Sequence, residues 1–223
     1  MNIGGFLKNS FIDFPENISA VIFTNGCNFN CDFCHNSQLI SGEKKSKISL
    51  LEIFEYLQSR KGLIDGVVIS GGEPTIQNDL KEVIIKIKKL GFLVKLDTNG
   101  SNPEILEELL NENLLDYVAM DIKEIPENYD RFCKKIGKNV EKSIKILKNS
   151  KIKHEFRTTF EPNLSVYDIE KISKIVGNNQ NYFLQKYNPP NDRVIKIPHS
   201  KADFDEALAR SLKNASLTRL RGF

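Results

Sequence analysis

The sequence predicts an α/β fold: a parallel sheet wrapped by outer helices and curved into a partial, six-unit barrel. Three observations carry this expectation. Apolar runs of strand length alternate about six times with segments of helical period, the pattern of consecutive strand–helix units. The runs are nearly continuous in Val, Ile, Leu and Phe, which suits strands covered on both faces. A closed eight-unit barrel typically needs about 250 residues, so six units in 223 residues leave a TIM-like barrel open.

The first predicted strand is Ile18 to Thr24, and a cysteine-rich loop over 25–36 follows its C-terminal end. Ser49-Leu50-Leu51-Glu52 has the form of a capping box and opens a helix with Leu50, Ile53, Phe54 and Leu57 on one face, closed by Gly62. Gly66 to Ser70 is the second strand. Asn78 is read as the cap of a helix carrying Leu80, Val83, Ile84, Ile87 and Leu90, stopped by Gly91. Phe92 to Asp97 is the third strand, and Asn102-Pro103 opens a helix with Leu106, Leu109 and Leu110 inward. Leu115 to Lys123 is the fourth strand, Val140 to Asn149 a helix, and Ile152 to Phe160 the fifth strand. Ser165 to Val176 is a capped helix ended by Gly177, Tyr182 to Tyr187 the sixth strand, and Asp203 to Leu212 the last helix.

Composition bounds the rest. Hydrophobic residues make up 40% and charged residues 27%, ordinary for a globular protein. The expectation is one domain over 1–223, with 188–223 peripheral. A net charge of +3, with Lys and Glu interspersed along the helices, calls for neither nucleic acid nor an anionic membrane. No apolar run approaches the roughly 20 residues that cross a bilayer. Met1 to Gly5 has no leader character, so a cytoplasmic location with reduced thiols is expected.

Cys27-Asn28-Phe29-Asn30-Cys31-Asp32-Phe33-Cys34-His35 places three of the four cysteines in one short loop, as thiols gathered round a metal centre would be. Three readings compete. A structural zinc takes four ligands, and His35 directly after Cys34 is poorly placed as the fourth. A disulfide would strand one thiol and needs an oxidising compartment. An iron–sulfur cluster on Cys27, Cys31 and Cys34 leaves one iron open to a small molecule, and thiolates are its usual ligands. The cluster is the reading the loop favours.

Period-two bookkeeping separates two strand faces. Val118, Met120 and Ile122 share one parity, and Ala119, Asp121 and Lys123 the other; Ile152, Phe156 and Phe160 oppose Lys153, Glu155, Arg157 and Thr159. The apolar parity should meet the helices, so the polar parity faces inward and implies a cavity for a polar ligand. Ser70-Gly71-Gly72-Glu73-Pro74 and Asp97-Thr98-Asn99-Gly100 each read, in isolation, as strand-end turns. Gln185, Lys186 and Tyr187 near the sixth strand's end could border a ligand. Cys133 reads as a buried or incidental thiol, His154 as a packed histidine on the helix-facing side, and His199 carries no signal.

The spacing Cys-x3-Cys-x2-Cys with Phe33 before the last cysteine resembles the cluster motif of the radical S-adenosylmethionine (SAM) enzymes. The resemblance extends to Gly4-Gly5-Phe6, Asp13-Phe14-Pro15, His35-Asn36, Asp65 to Thr75, Gly91 to Gly100 and Phe156 to Thr159, and within that family it is similar to the anaerobic ribonucleoside-triphosphate reductase activating proteins, near the pyruvate formate-lyase activases. It implies a [4Fe-4S] cluster on the three cysteines, SAM chelated to the open iron, and Phe33 against the adenine. It further implies that Gly71, Gly72 and Glu73 receive the methionine ammonium, and that Asp97, Asp121 and Lys123 sit beside SAM, the two aspartates able to help bind a cation or a substrate peptide. Arg157 could pair with the SAM carboxylate, or with Glu155 or another inner-face acid.

The implied reaction is reductive cleavage of SAM to methionine and a 5′-deoxyadenosyl radical, which takes a hydrogen from a glycine Cα on a glycyl-radical enzyme, here the large subunit of an anaerobic ribonucleotide reductase, with flavodoxin or ferredoxin as electron donor. Beyond the cluster and SAM no catalytic side chain is expected. The alternatives are a radical SAM enzyme acting on a small molecule, resembling 7-carboxy-7-deazaguanine synthase, and a zinc-stabilised binding module.

Overall fold

A computed structural model describes residues 1–43, 46–189 and 199–222. Eight strands lie in one sheet in sequence order: β1 (Ile3–Ser10), β2 (Ser19–Thr24), β3 (Gly66–Gly71), β4 (Leu93–Thr98), β5 (Tyr117–Asp121), β6 (Lys153–Phe160), β7 (Tyr182–Lys186) and β8 (Thr218–Arg221). β1 runs antiparallel to β2, and every later pair is parallel. The helices are α1 (Leu50–Ser59), α2 (Leu80–Lys89), α3 (Pro103–Asn111), α4 (Gly137–Asn149), α5 (Val166–Val176) and α6 (Lys201–Leu212). The sheet does not close, so the expected open, partial barrel with outer helices is the architecture found.

β2 to β7 and α1 to α6 correspond to the predicted elements with shifted ends, and the two edge strands are additions. β1 carries Gly4-Gly5 and Lys8-Asn9, a poor strand composition by itself. Pairing with β2 along Phe6↔Ile22 and Leu7↔Val21 makes it a strand. The expectation of a peripheral 188–223 is corrected over its described part: α6 packs on α5, and β8 extends the sheet beside β7. The remainder of that segment lies outside the described residues. Asn78 is not the cap of α2. Asp79 holds that position, and its carboxylate meets the Met1 ammonium instead of the helix N–H groups.

Local rules explain the helices. Ser49 and Glu52 form a reciprocal capping box on α1; Ser165 with Asp168 and Ser200 with Asp203 do the same on α5 and α6. Leu80, Val83, Ile84 and Ile87 form the buried stripe of α2 at helical spacing. Each such side chain contributes roughly 1.5–3 kcal/mol by leaving water. They pack on the outer sheet face, where Ile22, Ile69, Leu96, Val118, Met120 and Phe156 are all buried in the same core.

The inner face has a different composition. Phe14, Val21, Val68, Tyr117 and Ala119 form a separate apolar cluster there. Toward the C-terminal strand ends the same parity becomes charged, with Asp97 at the end of β4 and Asp121 directly opposite Arg157 in the β5–β6 register. Among the described residues no helix is long and apolar enough to cross a membrane.

Candidate functional site

The C-terminal strand ends open on a cavity of about 500 Å³, within the roughly 300–1,000 Å³ of ligand pockets. Its lining includes Cys27, Cys31, Phe33 and Cys34 from the loop after β2, Gly71, Gly72 and Glu73 after β3, Asp97 on β4, Asp121 and Lys123 at and beyond the end of β5, and Arg157 on β6. Gln185 and Lys186 reach it as well. Every residue singled out by the cluster motif, the glycine turn and the strand-end acids therefore faces one space. Tyr187, Cys133, His154 and His199 are not among its lining. His154 bonds the Ile152 carbonyl and Gln180, and His199 stacks on Phe160 and meets the Glu161 carbonyl, so both act in packing.

The cysteine loop is closed by backbone. Gly26 N donates to Leu39 O, Cys27 N to Ile40 O and Cys34 N to Cys31 O. Phe29 and Phe132 stack beneath it, and Phe33 meets Phe132 edge-on with Lys123 Nζ 5.9 Å from its ring centroid. Burial pushes the Cys27 thiol up to about 11 and the Cys31 thiol up to about 12. Bare thiolates are thus disfavoured in this loop, and a metal that replaces the protons relieves the cost.

Among the described residues no three His, Cys, Asp or Glu side chains converge on one point as a single metal ion requires. A mononuclear zinc site demands that convergence. A cluster spreads its thiolate ligands over separate irons, so three thiols on one loop around a shared cavity are the donor set such a cluster takes.

The glycine turn is dictated by close approach. Gly71 has φ +107°, outside the range of ordinary side chains, and a Cβ on Gly72 would lie 2.0 Å from Gly26 O. Gly72 N donates to Thr24 O and Glu73 N to Gly26 O, so the turn is fastened to the backbone that enters the cysteine loop. The Glu73 carboxylate lines the cavity and is at the same time held by the two strand ends beside it. Glu73 is 1% exposed, and its Oε1 accepts from Thr75 N, Thr75 Oγ1 and Thr98 Oγ1, while Oε2 accepts from Asn99 N. A carboxylate offers about four acceptor positions, so its main work is to tie β3's end to β4's end. Burial raises its pKa despite those donors.

Asp97, Asp121 and Arg157 form the charged floor. Arg157 Nε lies 2.7 Å from Asp121 Oδ1 and Nη1 3.4 Å from Asp97 Oδ2; Lys95 meets Asp97 from the same strand, and Lys123 Nζ is 3.2 Å from Asp121 Oδ2. Burial alone would push both aspartates up, but Arg157, with Lys95 at Asp97 and Lys123 at Asp121, holds them below the usual carboxylate range. The same acids keep Arg157 and Lys123 charged against burial. Of the two expectations for Arg157, pairing with inner-face acids is what the geometry displays. A zwitterionic ligand entering here meets carboxylates and guanidinium already charged and oriented.

Two members of this floor were missed. Lys95 shares Asp97's parity and could have been found by the alternation already applied to β5 and β6. Arg221 could not: it sits on the four-residue β8, and its Nη1 and Nη2 reach Glu155 Oε1 and Oε2 at 2.8 and 3.0 Å across two intervening strand pairings.

Comparison with known proteins agrees with this geometry. Residues 21–153 match the Radical SAM superfamily. A protein of Methanocaldococcus jannaschii named as a glycyl-radical enzyme activating enzyme is 40% identical over 210 residues, covering 89% of this chain and 86% of its own. The pyruvate formate-lyase-activating enzyme of Clostridium pasteurianum is 29% identical over 172 residues, 74% of this chain and 71% of its own. In structure, Streptococcus suis SuiB bound to S-adenosylmethionine superposes with a TM-score of 0.67 at 16% identity, over 88% of this chain and 48% of that one. A domain of pyruvate-formate lyase-activating enzyme from Bacteroides vulgatus gives 0.53 at 13% identity, over 71% and 99%. At such identities the two structures speak to the fold alone.

Proposed function

The chain belongs to the radical SAM superfamily, among the glycyl-radical enzyme activating enzymes, and from that premise we propose that it works as one domain in the reducing cytoplasm to install the glycyl radical of an anaerobic ribonucleotide reductase, fed by a flavodoxin or ferredoxin. The family uses a [4Fe-4S] cluster and SAM. The single observation that supports this chain's share in that chemistry is the convergence of three thiols, the Gly-Gly-Glu turn and the Asp97–Arg157–Asp121 floor on one cavity. When bound, the cluster and SAM supply the one-electron reduction of a sulfonium and the hydrogen abstraction that follows.

The protein's own residues do the rest. Cys27, Cys31 and Cys34 would carry the cluster, giving up their thiol protons as they do so. The Gly71-Gly72-Glu73 turn offers backbone groups to the amino-acid end of SAM, and Phe33 an apolar face to the adenine. Arg157 offers a cation to a carboxylate without leaving Asp121, since its Nη groups are less fully engaged than its Nε. Asp97 and Asp121 stay ionised because cations flank them. The apolar cluster around Phe14 and Tyr117 fills the inner sheet face on the side of the N-terminal strand ends, away from the ends on which the cavity opens. A glycine on a polypeptide must arrive from the open side as an extended loop.

The test is anaerobic reconstitution with iron and sulfide, followed by SAM and a reductant, with and without the large reductase subunit. The expected results are a brown protein, 5′-deoxyadenosine, and an EPR doublet on the added subunit. 5′-Deoxyadenosine without a doublet, together with turnover of a small substrate, would transfer the activity to small-molecule chemistry. A colourless zinc protein would end the radical reading.

A further inference from the structure

Beside the groups assigned to SAM, one buried polar unit bonds directly to the cysteine loop. Asn99 is 5% exposed and Ser101 fully buried, both in the turn that follows β4. Asn99 N donates to Glu73 Oε2, and Ser101 N donates to Asn99 Oδ1 at 2.9 Å. The second bond decides the orientation of the amide. A backbone N–H can only donate, so Oδ1 must face Ser101 and the Nδ2 group must face the other way. There it meets Asn28 Oδ1 at 3.0 Å and Cys27 Sγ at 4.0 Å. Asn28 Nδ2 returns to Ser101 Oγ at 2.8 Å, which closes a ring of three side chains between the β4 turn and the cysteine loop. Asn139 on α4 donates to Ser101 O and anchors the ring from outside.

We propose that Asn99 is a positioning residue for the iron–sulfur cluster: it fixes the cysteine loop in register with the glycine turn and presents an N–H to the sulfur of Cys27, raising the cluster's reduction potential. The inference rests on the cluster reading above. Donors aimed at a ligating thiolate stabilise the more negative, reduced cluster, and such hydrogen bonds are among the groups that set cluster potentials. Cys27 Sγ has a second donor in Phe29 N at 3.4 Å, which belongs to the loop itself and stays when Asn99 is changed. Asn99 is therefore the side chain of this ring that reaches both the sulfur and the loop, while its backbone N–H holds the Glu73 carboxylate.

The experiment compares wild type, Asn99→Ala, Asn99→Asp and Asn28→Ala after anaerobic reconstitution. It measures iron per chain, the midpoint potential by EPR-monitored titration, and the EPR spectrum of the reduced cluster. The potential should fall in Asn99→Ala and fall further in Asn99→Asp, which keeps the acceptor for Ser101 N but turns a carboxylate oxygen toward the sulfur. Asn28→Ala should lose iron faster with a smaller change in potential. A wild-type midpoint and spectrum in Asn99→Asp, or in Asn99→Ala where it folds, overturns the proposal. Failure of the wild-type protein to take up iron would strike the cluster reading itself, and the first measurement separates the two failures.

Discussion

Arg157 on β6 stands directly opposite Asp121 on β5 and donates to it through Nε at 2.7 Å, while its Nη1 points back toward Asp97 on β4. One guanidinium thus spans three strand ends. Replacing it leaves two half-buried carboxylates short of their main cation; breaking a fully buried pair from one side costs about 3–5 kcal/mol, and water reaching Asp121, 32% exposed, lowers that to about 1–3 kcal/mol. Arg157→Ala is therefore expected to lower the urea midpoint strongly before any effect on SAM is considered. Arg157→Lys should recover part of the loss, because a single ammonium cannot address both aspartates. An unchanged midpoint in Arg157→Ala would show that solvent replaces the guanidinium.

The same pairings set a pH dependence. Asp97 and Asp121 have folded-state pKa values held below the ordinary aspartate value by Arg157 and its neighbours. A depressed carboxylate contributes stability that is fully present above its unfolded value, near 3.8, and is lost as the pH falls below it. Glu73 has the opposite sign: burial raises its pKa, so it favours the fold in acid and withdraws that contribution as the pH rises. The acid limb must then come from the aspartates. Denaturant midpoints should hold down to about pH 4 and then fall steeply from there to about pH 2 in the wild type and less steeply in Asp121→Asn, about one titrating group fewer.

How much of this was legible in the residues depended on the range over which each feature is encoded. The cysteine loop is local, and its spacing alone brought out Cys27, Cys31 and Cys34; Gly71 and Gly72 read as a turn by themselves and gained a role only from the family resemblance. Asp121 and Arg157 were visible through alternation within their own strands, and the β5–β6 register then set them side by side. Lys95 obeys the same alternation and was readable in principle. Nothing local reveals that Glu73 is also bonded by Thr98 and Asn99, 25 and 26 residues away. β1 and β8 escaped because their strand character comes from neighbours and not from composition.

Gly72 gives a test of the turn that is independent of charge. The Cβ of Gly72→Ala would fall 2.0 Å from Gly26 O, and that carbonyl cannot retreat without moving Cys27, its immediate neighbour. Overpacking of this kind costs roughly 1–3 kcal/mol. The variant should fold with reduced stability and hold less iron after reconstitution than wild type, measured as iron per chain. Wild-type iron content would mean that the turn and the loop move independently.

Cys31 is the most buried of the three loop thiols. Cys31→Ala removes one of the three protein ligands, and two thiolates cannot keep a cube in place with an iron still open to SAM. The expected outcome is loss of the iron–sulfur absorbance and of anaerobic 5′-deoxyadenosine formation, with the far-UV spectrum retained because Cys31 lies in the loop after β2, outside every helix and strand. Continued 5′-deoxyadenosine production would mean that a different set of ligands binds the iron.

Arg221 links the C-terminal strand to the site. Its guanidinium takes both oxygens of Glu155, lies 3.8 Å from the Phe183 ring centroid, and lines the cavity that Arg157 also faces. Glu155 is 2% exposed and has Tyr117 Oη as a further donor, with Arg157 Nη1 4.0 Å away. Arg221→Ala would leave that carboxylate to compete with Asp121 and Asp97 for Arg157, which couples β8 to the charged floor. Because Arg221 is itself 38% exposed, water offsets part of the loss, and a cost of about 1–3 kcal/mol is expected in place of the full penalty for a buried pair. The coupling is measured by a double-mutant cycle: Arg221→Ala and Arg157→Ala together should destabilise by an amount that differs from the sum of the single changes by at least about 0.5 kcal/mol. Strict additivity would confine Arg221 to fastening β8 and remove it from the electrostatics of the site.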